Sequence, residues 1–200
     1  NKASSLLPRV GDRGFCFSFP PLFAIMKSVK PLAFGKALTM LMRSYYPSPL
    51  GTISLLADER GLLGCYFVGQ KYFENGYRDQ AIVEGDSIFL ADATAWLDAY
   101  FAGENPKAED VVLAPQGTAF QQSVWQVLRE IPYGKTMTYG EIAQKIQCAS
   151  AQAVGGAVGK NPLSVFVPCH RVLGSQGQLT GYAGGLERKR WLLSHGGVTF

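Results

Sequence analysis

The sequence predicts an α+β protein, in which a small α/β N-terminal domain precedes a mostly helical C-terminal domain. Two short apolar runs around a charged turn, between residues 51 and 69, are typical of paired strands. From residue 88 apolar residues recur at the spacing of a helix, and two closely spaced helix starts follow at Thr138 and Ser150. A chain of 200 residues is long enough for one or two domains of ordinary size.

Residues 1–41 have neither strand nor helix periodicity. Pro20 and Pro21 interrupt their one long apolar run, and Lys27 follows it where a secretory leader would have small residues for cleavage. We therefore interpret residues 1–41 as an upstream extension that is disordered or artificial, with Met40 or Met42 as the natural start.

The N-terminal domain is predicted over residues 42–112. The runs "GTISLLADE" and "GLLGCYFVG", joined by the charged turn "DERG", predict a β-hairpin. The segment "SIFLADATAWLDAYFAGE" predicts a helix that begins near Ile88, includes Ala91 on its apolar face and stops at Gly103. The polar stretch that follows, with two prolines, predicts a domain boundary before the C-terminal domain at 118–200.

The C-terminal domain is predicted to contain a helix-turn-helix. Its first helix starts after the N-cap residue Thr118. Thr138, followed three residues later by Glu141, predicts a capping box at the start of the next helix. Another helix is predicted from Ser150 to just before Pro162, and the short connection between these last two helices indicates the helix-turn-helix.

Cysteine usage and charge limit the classes of function. The four cysteines lie far apart in the sequence, and only two histidines accompany them: Cys16, Cys65, Cys148 and Cys169, with His170 and His195. This pattern favours neither a disulfide framework nor a zinc site, and it predicts a reducing, cytoplasmic location. No apolar run reaches the roughly 18 residues of a membrane span.

The charge is uneven along the chain. Residues 1–117 carry 11 Lys and Arg against 12 Asp and Glu, whereas residues 118–200 carry 8 against 3. A basic C-terminal half is typical of a protein with a polyanionic partner, although many other protein surfaces are equally basic.

Gly155 and Gly156 lie in the middle of the second helix of the predicted helix-turn-helix, where each costs about 1 kcal/mol relative to alanine. A bare helix surface permits close approach of another backbone. That backbone is either a neighbouring segment of the protein, which the spacing alone favours, or a nucleic acid.

The adjacent pair Cys169 and His170, in "FVPCHRVLG", is the strongest candidate for chemistry. One interpretation is a buried structural cysteine beside an incidental histidine. The other is a nucleophile, because a nearby histidine can supply the reactive thiolate. A Cys-His hydrolase usually draws its histidine from a distant part of the chain, for which His195 is the other candidate, but no orienting motif supports that class.

These residues lie within segments that together resemble the O6-alkylguanine-DNA alkyltransferases. The segments are "TYGEIAQ", "AVGGAVGKNP", "NPLSVFVPCHRV" and "GYAGGLERKRWLLSHGG", and the resemblance extends from Pro47 to Val198. It implies a ribonuclease-H-like N-terminal domain and a C-terminal domain with a winged-helix-like helix-turn-helix. It also implies a monomer that binds double-stranded DNA containing alkylated guanine, without a metal, cofactor or membrane.

The implied function is DNA repair by transfer of the alkyl group from O6-methylguanine to Cys169, once per molecule, with O4-methylthymine as a further candidate substrate. The damaged base would be flipped out of the duplex to reach the nucleophile. The alternative is a non-catalytic alkyltransferase-like protein that binds alkylated DNA and signals damage. Relatives of that kind usually lack the cysteine, which argues against the alternative.

The resemblance assigns roles to other residues. Tyr139 would assist base flipping and promote departure of the guanine, Asn161 would shape the active-site turn, and His170 would activate Cys169 through water. The residues implied in binding DNA or the flipped base are Ala151, Gln152, Gly155, Gly156, Ala157, Val158, Arg171, Val172, Tyr182, Ala183 and Gly184.

The chain departs from the family pattern at two positions. Gln152 stands where many members have an arginine that enters the duplex, so the positive charge favoured by a narrow groove is missing. Gly196 stands where members commonly have a glutamate that orients the active-site histidine. We expect this second change to weaken the activation of Cys169.

Overall fold

Four strands form the sheet of the N-terminal half in the computed structural model, which describes residues 40–199. They are β1 (Leu41–Ser48), β2 (Gly51–Asp58), β3 (Gly61–Phe67) and β4 (Ile82–Glu84). Their order in the sheet is β3-β2-β1-β4, with antiparallel pairing except between β1 and β4. The predicted hairpin is confirmed as β2 and β3.

Strand β1 was not predicted from the sequence. Its alternation of buried and exposed residues is weak, and it includes Pro47. Pairing with β2 from Met42 opposite Ala57 to Ser48 opposite Gly51 nevertheless keeps it extended. The strand begins at Leu41, one residue before the predicted start of the domain. Of the predicted extension, residues 1–39 lie outside the residues that the structure describes.

Helix α1 (Ile88–Phe101) is confirmed and packs on the sheet. Ser87 caps its start, because the serine hydroxyl accepts a hydrogen bond from the backbone N–H of Leu90. Its buried residues are Leu90, Ala93, Trp96, Leu97 and Tyr100. The predicted apolar face was therefore partly wrong, since the Ile88 side chain is 70% exposed and Ala91 is also exposed.

The C-terminal half contains α2 (Ala119–Arg129), α3 (Tyr139–Lys145), α4 (Ala151–Gly159) and α5 (Leu186–His195). The short strands β5 (Met137–Thr138) and β6 (Val172–Leu173) form a parallel pair beside them. Capping boxes at Thr118 and Thr138 and an N-cap at Ser150 start α2, α3 and α4. The predicted helix-turn-helix, α3 followed by α4, is confirmed, as is the α+β class.

The main hydrophobic core extends through both halves, and a smaller second cluster around Leu56 and Tyr66 lies within the N-terminal half. The rings of Trp96 on α1 and Phe166 lie with their centroids 4.5 Å apart. Cys65 on β3 joins the halves through its backbone, since its N–H donates to the Pro162 carbonyl (2.8 Å) and its carbonyl accepts from Ser164 (2.9 Å). The sheet therefore supports the segment that leads to Cys169. Within residues 40–199, no helix is both long and apolar enough to cross a membrane.

Candidate active site

Cys169 begins a 3-10 turn that follows Pro168, and its side chain is almost buried, at 5% exposure. Asn161 holds this turn through four hydrogen bonds. Its amide nitrogen lies 3.1 Å from Cys169 Sγ, 2.8 Å from the Val167 carbonyl oxygen and 3.3 Å from that of Leu163. Its carbonyl oxygen accepts from the Leu163 N–H at 3.0 Å. Asn161 therefore fixes both the backbone of the turn and the position of the thiol.

The surroundings of Cys169 favour a neutral thiol at rest. Burial raises the pKa of Cys169 above its ordinary value. The hydrogen bond from Asn161 and the positive charge of Lys189 oppose this shift by stabilising the thiolate. Since the thiolate is the nucleophilic form, the site needs a base to remove the thiol proton.

His170 is fully buried and carries no charge at neutral pH. Burial lowers its pKa well below the ordinary value, and the neighbouring cations Arg171 and Lys189 act in the same direction. Neither ring nitrogen has a hydrogen-bonding partner within residues 40–199. The neutral ring can therefore accept a proton. His195, the other histidine considered, is occupied elsewhere, because its Nε2 lies 2.7 Å from the Tyr100 carbonyl oxygen and its ring stacks on Trp191.

The burial of His170 predicts a loss of stability in acid. Below the unfolded-state pKa of about 6.5, the unfolded chain takes up a proton that the folded chain refuses, so the free energy of unfolding falls by about 1.4 kcal/mol per pH unit. Urea unfolding at pH 7.5, 6.5 and 5.5 checks this. The variant His170→Phe, which cannot take up the proton, should lose less stability over the same range; equal slopes would contradict the assignment.

Tyr139, the first residue of α3, forms part of the wall of a cavity of about 400 Å³. Burial raises the pKa of its hydroxyl, which keeps it protonated and able to donate, and Cys169 is close enough to contribute to the same shift. The other residues that line the cavity are Lys71, Tyr72, Gly155, Gly156, Gly159, Gly181, Tyr182 and Ala183.

A loop between β6 and α5 supplies the opposite wall through Tyr182 and Ala183. Gly184 does not line the cavity as expected, because it packs behind the wall, where a Cβ would come within 2.7 Å of the Tyr182 ring. Val172 is buried, and its carbonyl oxygen accepts a hydrogen bond from Lys189. A carbonyl oxygen has two lone pairs, so the expected contact of Val172 with a guanine edge remains available.

Lys189 on α5 was missed in the sequence, although it organises this loop. Its side chain is fully buried, and its ammonium donates to the carbonyl oxygens of Val172 (2.5 Å), Thr180 (2.6 Å) and Gly181 (3.3 Å). Burial lowers its pKa to about 8, which leaves it charged at neutral pH. A lysine in a basic helical segment gives no sequence signal of such burial, since lysine is rarely buried.

The outer face of α4 is bare, as the glycines predicted. Ala151, Gln152 and Gly156 are exposed. A Cβ at Gly156 would meet no atom within 4 Å, and one at Gly155 would only reach ordinary contact, 3.7 Å, with the Tyr139 ring. Internal packing therefore explains neither glycine, and the interpretation that the spacing favoured was wrong.

Three residues expected to contact DNA or substrate lie elsewhere. The side chains of Ala157 and Val158 are buried in the core, because they project from the inner face of α4. Arg171 points away from the cavity, where its guanidinium donates to the Ile131 carbonyl oxygen (2.8 Å) and lies over the Tyr133 ring. These positions correct the expectations for all three side chains, which stabilise the fold.

Gly196 ends α5 and is buried, with a backbone N–H that donates to the Leu192 carbonyl oxygen at 3.0 Å. Within residues 40–199, neither ring nitrogen of His170 has a hydrogen-bonding partner, and no carboxylate is among the groups that shift its pKa.

Two family models match the chain. Residues 41–115 match the 6-O-methylguanine DNA methyltransferase ribonuclease-like domain, and residues 119–198 match the DNA binding domain of the same family. These matches support the expected ribonuclease-like N-terminal fold.

Curated relatives agree with the family models. A methylated-DNA–protein-cysteine methyltransferase of Salmonella typhimurium is 52% identical over 171 residues, covering 78% of this chain and 96% of the relative. One from Methanosarcina acetivorans is 51% identical over 150 residues, covering 74% and 93%. These names do not favour the non-catalytic alternative.

Solved structures give the same result. The Mycobacterium tuberculosis O6-methylguanine methyltransferase has a TM-score of 0.69 and 42% identity, covering 78% of this chain and 93% of the neighbour. An OGT of the same organism in complex with DNA has a TM-score of 0.68 and 40% identity, covering 78% and 92%. With both halves matched and relatives above 50% identity, the chain belongs to the O6-methylguanine-DNA methyltransferase family.

Proposed function

We propose that the protein repairs O6-methylguanine in double-stranded DNA by transferring the methyl group to Cys169, once per molecule, with O4-methylthymine as a further candidate substrate. The observation that carries this proposal is the arrangement around the thiol. Cys169 lies in a turn fixed by Asn161, is followed by the neutral His170, and is close to the Tyr139 wall of a cavity below the bare face of α4.

The proposed reaction is a displacement at the methyl carbon. His170 takes the thiol proton through water, and the thiolate of Cys169 attacks. The bond from sulfur to carbon forms as the bond from carbon to O6 breaks, and the electron pair moves onto the guanine. Tyr139 donates a proton to the departing base, and the proton that His170 took from Cys169 passes back to Tyr139, so that the products are guanine and S-methylcysteine.

A base can reach this thiol only after it leaves the duplex. Cys169 is almost buried and does not itself line the cavity of about 400 Å³, but it is close enough to two residues of the cavity wall, Tyr139 and Tyr182, to add to the rise that burial causes in their pKa values. The cavity volume lies within the range of small-molecule sites. Flipping of the damaged nucleotide would bring the methyl group to the sulfur. The exposed residues Ala151, Gln152 and Gly156 on α4 would then lie against the DNA backbone.

The Gly156→Ala variant separates folding from DNA binding. We expect its folding stability to rise by up to about 1 kcal/mol, because alanine is the better helix former and a Cβ here meets no protein atom. Affinity for a lesion duplex should fall about tenfold, since the added methyl group separates the helix from the DNA backbone.

Fluorescence anisotropy with a labelled lesion duplex measures this affinity, and urea unfolding measures the stability. Gln126→Ala, an exposed change on α2, is the matched control and should alter neither DNA affinity nor transfer. Unchanged duplex affinity in Gly156→Ala would show that this face of α4 does not meet DNA.

Titration of a duplex containing one O6-methylguanine tests the proposed function. The amount of O6-methylguanine converted to guanine in the recovered DNA should equal the amount of protein added. No further lesions should be repaired after each protein molecule has reacted once. Repair that continues beyond one lesion per molecule would exclude self-methylation, and a lack of repair despite lesion binding would support the signalling alternative.

We also propose that the chain consists of an N-terminal domain at residues 42–112 and a C-terminal alkyltransferase domain at residues 118–200. A cytoplasmic location and a monomeric state are part of the same proposal. The location is supported by cysteines that are free in the described residues: Cys65, Cys148 and Cys169.

A further inference from the structure

A loop of the N-terminal half reaches the mouth of the active-site cavity. Lys71 and Tyr72, which follow β3, line the cavity together with Tyr139, Gly156 and Tyr182 of the C-terminal half. Neither residue is part of the Cys169 segment or of the helix-turn-helix. The cavity that receives the base is therefore completed by a part of the chain that has no assigned role in DNA binding.

Three contacts hold this loop in place. The backbone N–H of Lys71 donates to the Ala183 carbonyl oxygen at 3.0 Å, which joins the loop to the opposite wall. Gln70 is buried, and its Oε1 accepts from the Phe67 N–H (2.9 Å) and the Ser164 hydroxyl (3.3 Å). The loop is therefore attached both to its own sheet and to the segment before Cys169.

The backbone at Tyr72 is unusual, because its φ of 62° is in the left-handed region. A non-glycine residue in this region costs on the order of 1–3 kcal/mol and persists only where its surroundings require it. Glu74, two residues later, is buried and bound by the Ser54 hydroxyl (2.7 Å) and by Arg43 (3.4 Å). These contacts stabilise the turn that presents Lys71 and Tyr72 at the cavity.

Lys71 is a free cation within an acidic region. Residues 40–117 carry 5 Lys and Arg against 11 Asp and Glu. Among them Arg43 pairs with Glu74 and Arg60 pairs with Asp58. Lys71 is exposed and forms no salt bridge within residues 40–199, and its ammonium lies 4.9 Å from the centre of the Tyr72 ring. The ring holds the ammonium at the cavity mouth without neutralising its charge.

We propose that Lys71 is a positioning residue for the flipped nucleotide and binds a phosphate next to the damaged base. This inference rests on the proposed function, because a base that enters the cavity brings its own phosphates to the rim. An unpaired lysine at the rim of the cavity would bind a phosphodiester of the DNA backbone. Contacts between lysine and phosphate position a nucleic acid but do not depend on its base sequence. The N-terminal half thereby takes part in lesion capture.

The Lys71→Gln variant tests the inference with two substrates. One is a lesion duplex, and the other is the same alkylated base as a free nucleobase, which has no phosphate. The second-order rate constant for the duplex should fall about tenfold, whereas that for the free base should not change. The slope of log binding constant against log salt concentration should become shallower by about 0.9, as expected for one lost phosphate contact.

Matched variants complete the test. Lys107→Gln also removes one positive charge from the N-terminal half, but Lys107 does not line the cavity. This variant should change the duplex rate constant and the salt slope much less than Lys71→Gln does. Lys71→Arg should retain the duplex rate. Equal losses for the duplex and the free base would overturn the inference, because Lys71 would then only shape the pocket.

An unchanged duplex rate constant and salt slope in Lys71→Gln would also overturn the inference. The proposed function would still stand in that case, provided that the unaltered protein transfers the methyl group. Absence of transfer to Cys169 in the unaltered protein would overturn the proposed function itself, and the phosphate contact with it.

Discussion

Replacement of Cys169 by serine or alanine is expected to abolish methyl transfer and to leave affinity for the lesion duplex within about threefold of the unaltered protein. The thiol is 5% exposed, so its loss does not alter the surface that would meet DNA. A serine hydroxyl in the same turn remains protonated at neutral pH and is a far weaker nucleophile than a thiolate.

Cys148→Ser is the matched control for this prediction. Cys148 is more accessible than Cys169, and its Sγ lies 3.4 Å from the Ser150 backbone nitrogen at the start of α4. If exposure alone decided reactivity, Cys148 would be the acceptor. Full transfer in either Cys169 variant, or its loss in Cys148→Ser, would remove Cys169 from its proposed role.

The Asn161→Ala variant should lose about 2 kcal/mol of folding stability and most of its rate of methyl transfer. Truncation leaves the buried Leu163 N–H without its partner, and such an unsatisfied group costs about 1–3 kcal/mol, whereas the Val167 carbonyl keeps the hydrogen bond from the Cys169 N–H. It also removes the hydrogen bond that lowers the pKa of Cys169. The thiolate fraction at neutral pH should fall accordingly.

Two further variants separate the structural from the chemical effect of Asn161. Asn161→Asp keeps an acceptor for the Leu163 N–H but places a negative charge beside the thiol, which raises its pKa. The rate at neutral pH should therefore fall, and the pH at which the rate levels off should move upward. Asn75→Ala, an exposed change, should have no effect in urea unfolding or transfer assays. Normal stability and rate in Asn161→Ala would contradict the account.

Much of the fold was predictable because its signals are local. The capping residues Thr118, Thr138 and Ser150 and the turn between β2 and β3 act over a few residues, and the structure confirms each of them. Strand β1 was harder to predict, since its extended conformation depends on pairing with β2 along its whole length. The family resemblance implied that Ala157 and Val158 bind DNA or the flipped base, but their side chains are buried, because a resemblance does not report the direction of a side chain.

The candidate site depends on contacts between distant parts of the chain. The adjacency of Cys169 and His170 could be read directly, but the roles of Tyr139 and Asn161 came only from the resemblance. Lys71 and Lys189 had no signal at all, because the backbone of Lys71 is placed at the cavity by its hydrogen bond to Ala183, and the side chain of Lys189 is held by its hydrogen bonds to the Val172 loop. Sequence patterns report a residue's own propensity, not the partner that folding brings to it.

The central claim is that Cys169 itself keeps the methyl group. The most direct measurement is the mass of the intact protein, and of its Cys169-containing peptide, after reaction with a duplex bearing one O6-methylguanine. We predict that a hydrogen on Cys169 is replaced by one methyl group, with guanine restored in the DNA in equal amount. An unmodified Cys169 despite demonstrated lesion binding would contradict the account and would indicate that this chain recognises the damage without reversing it.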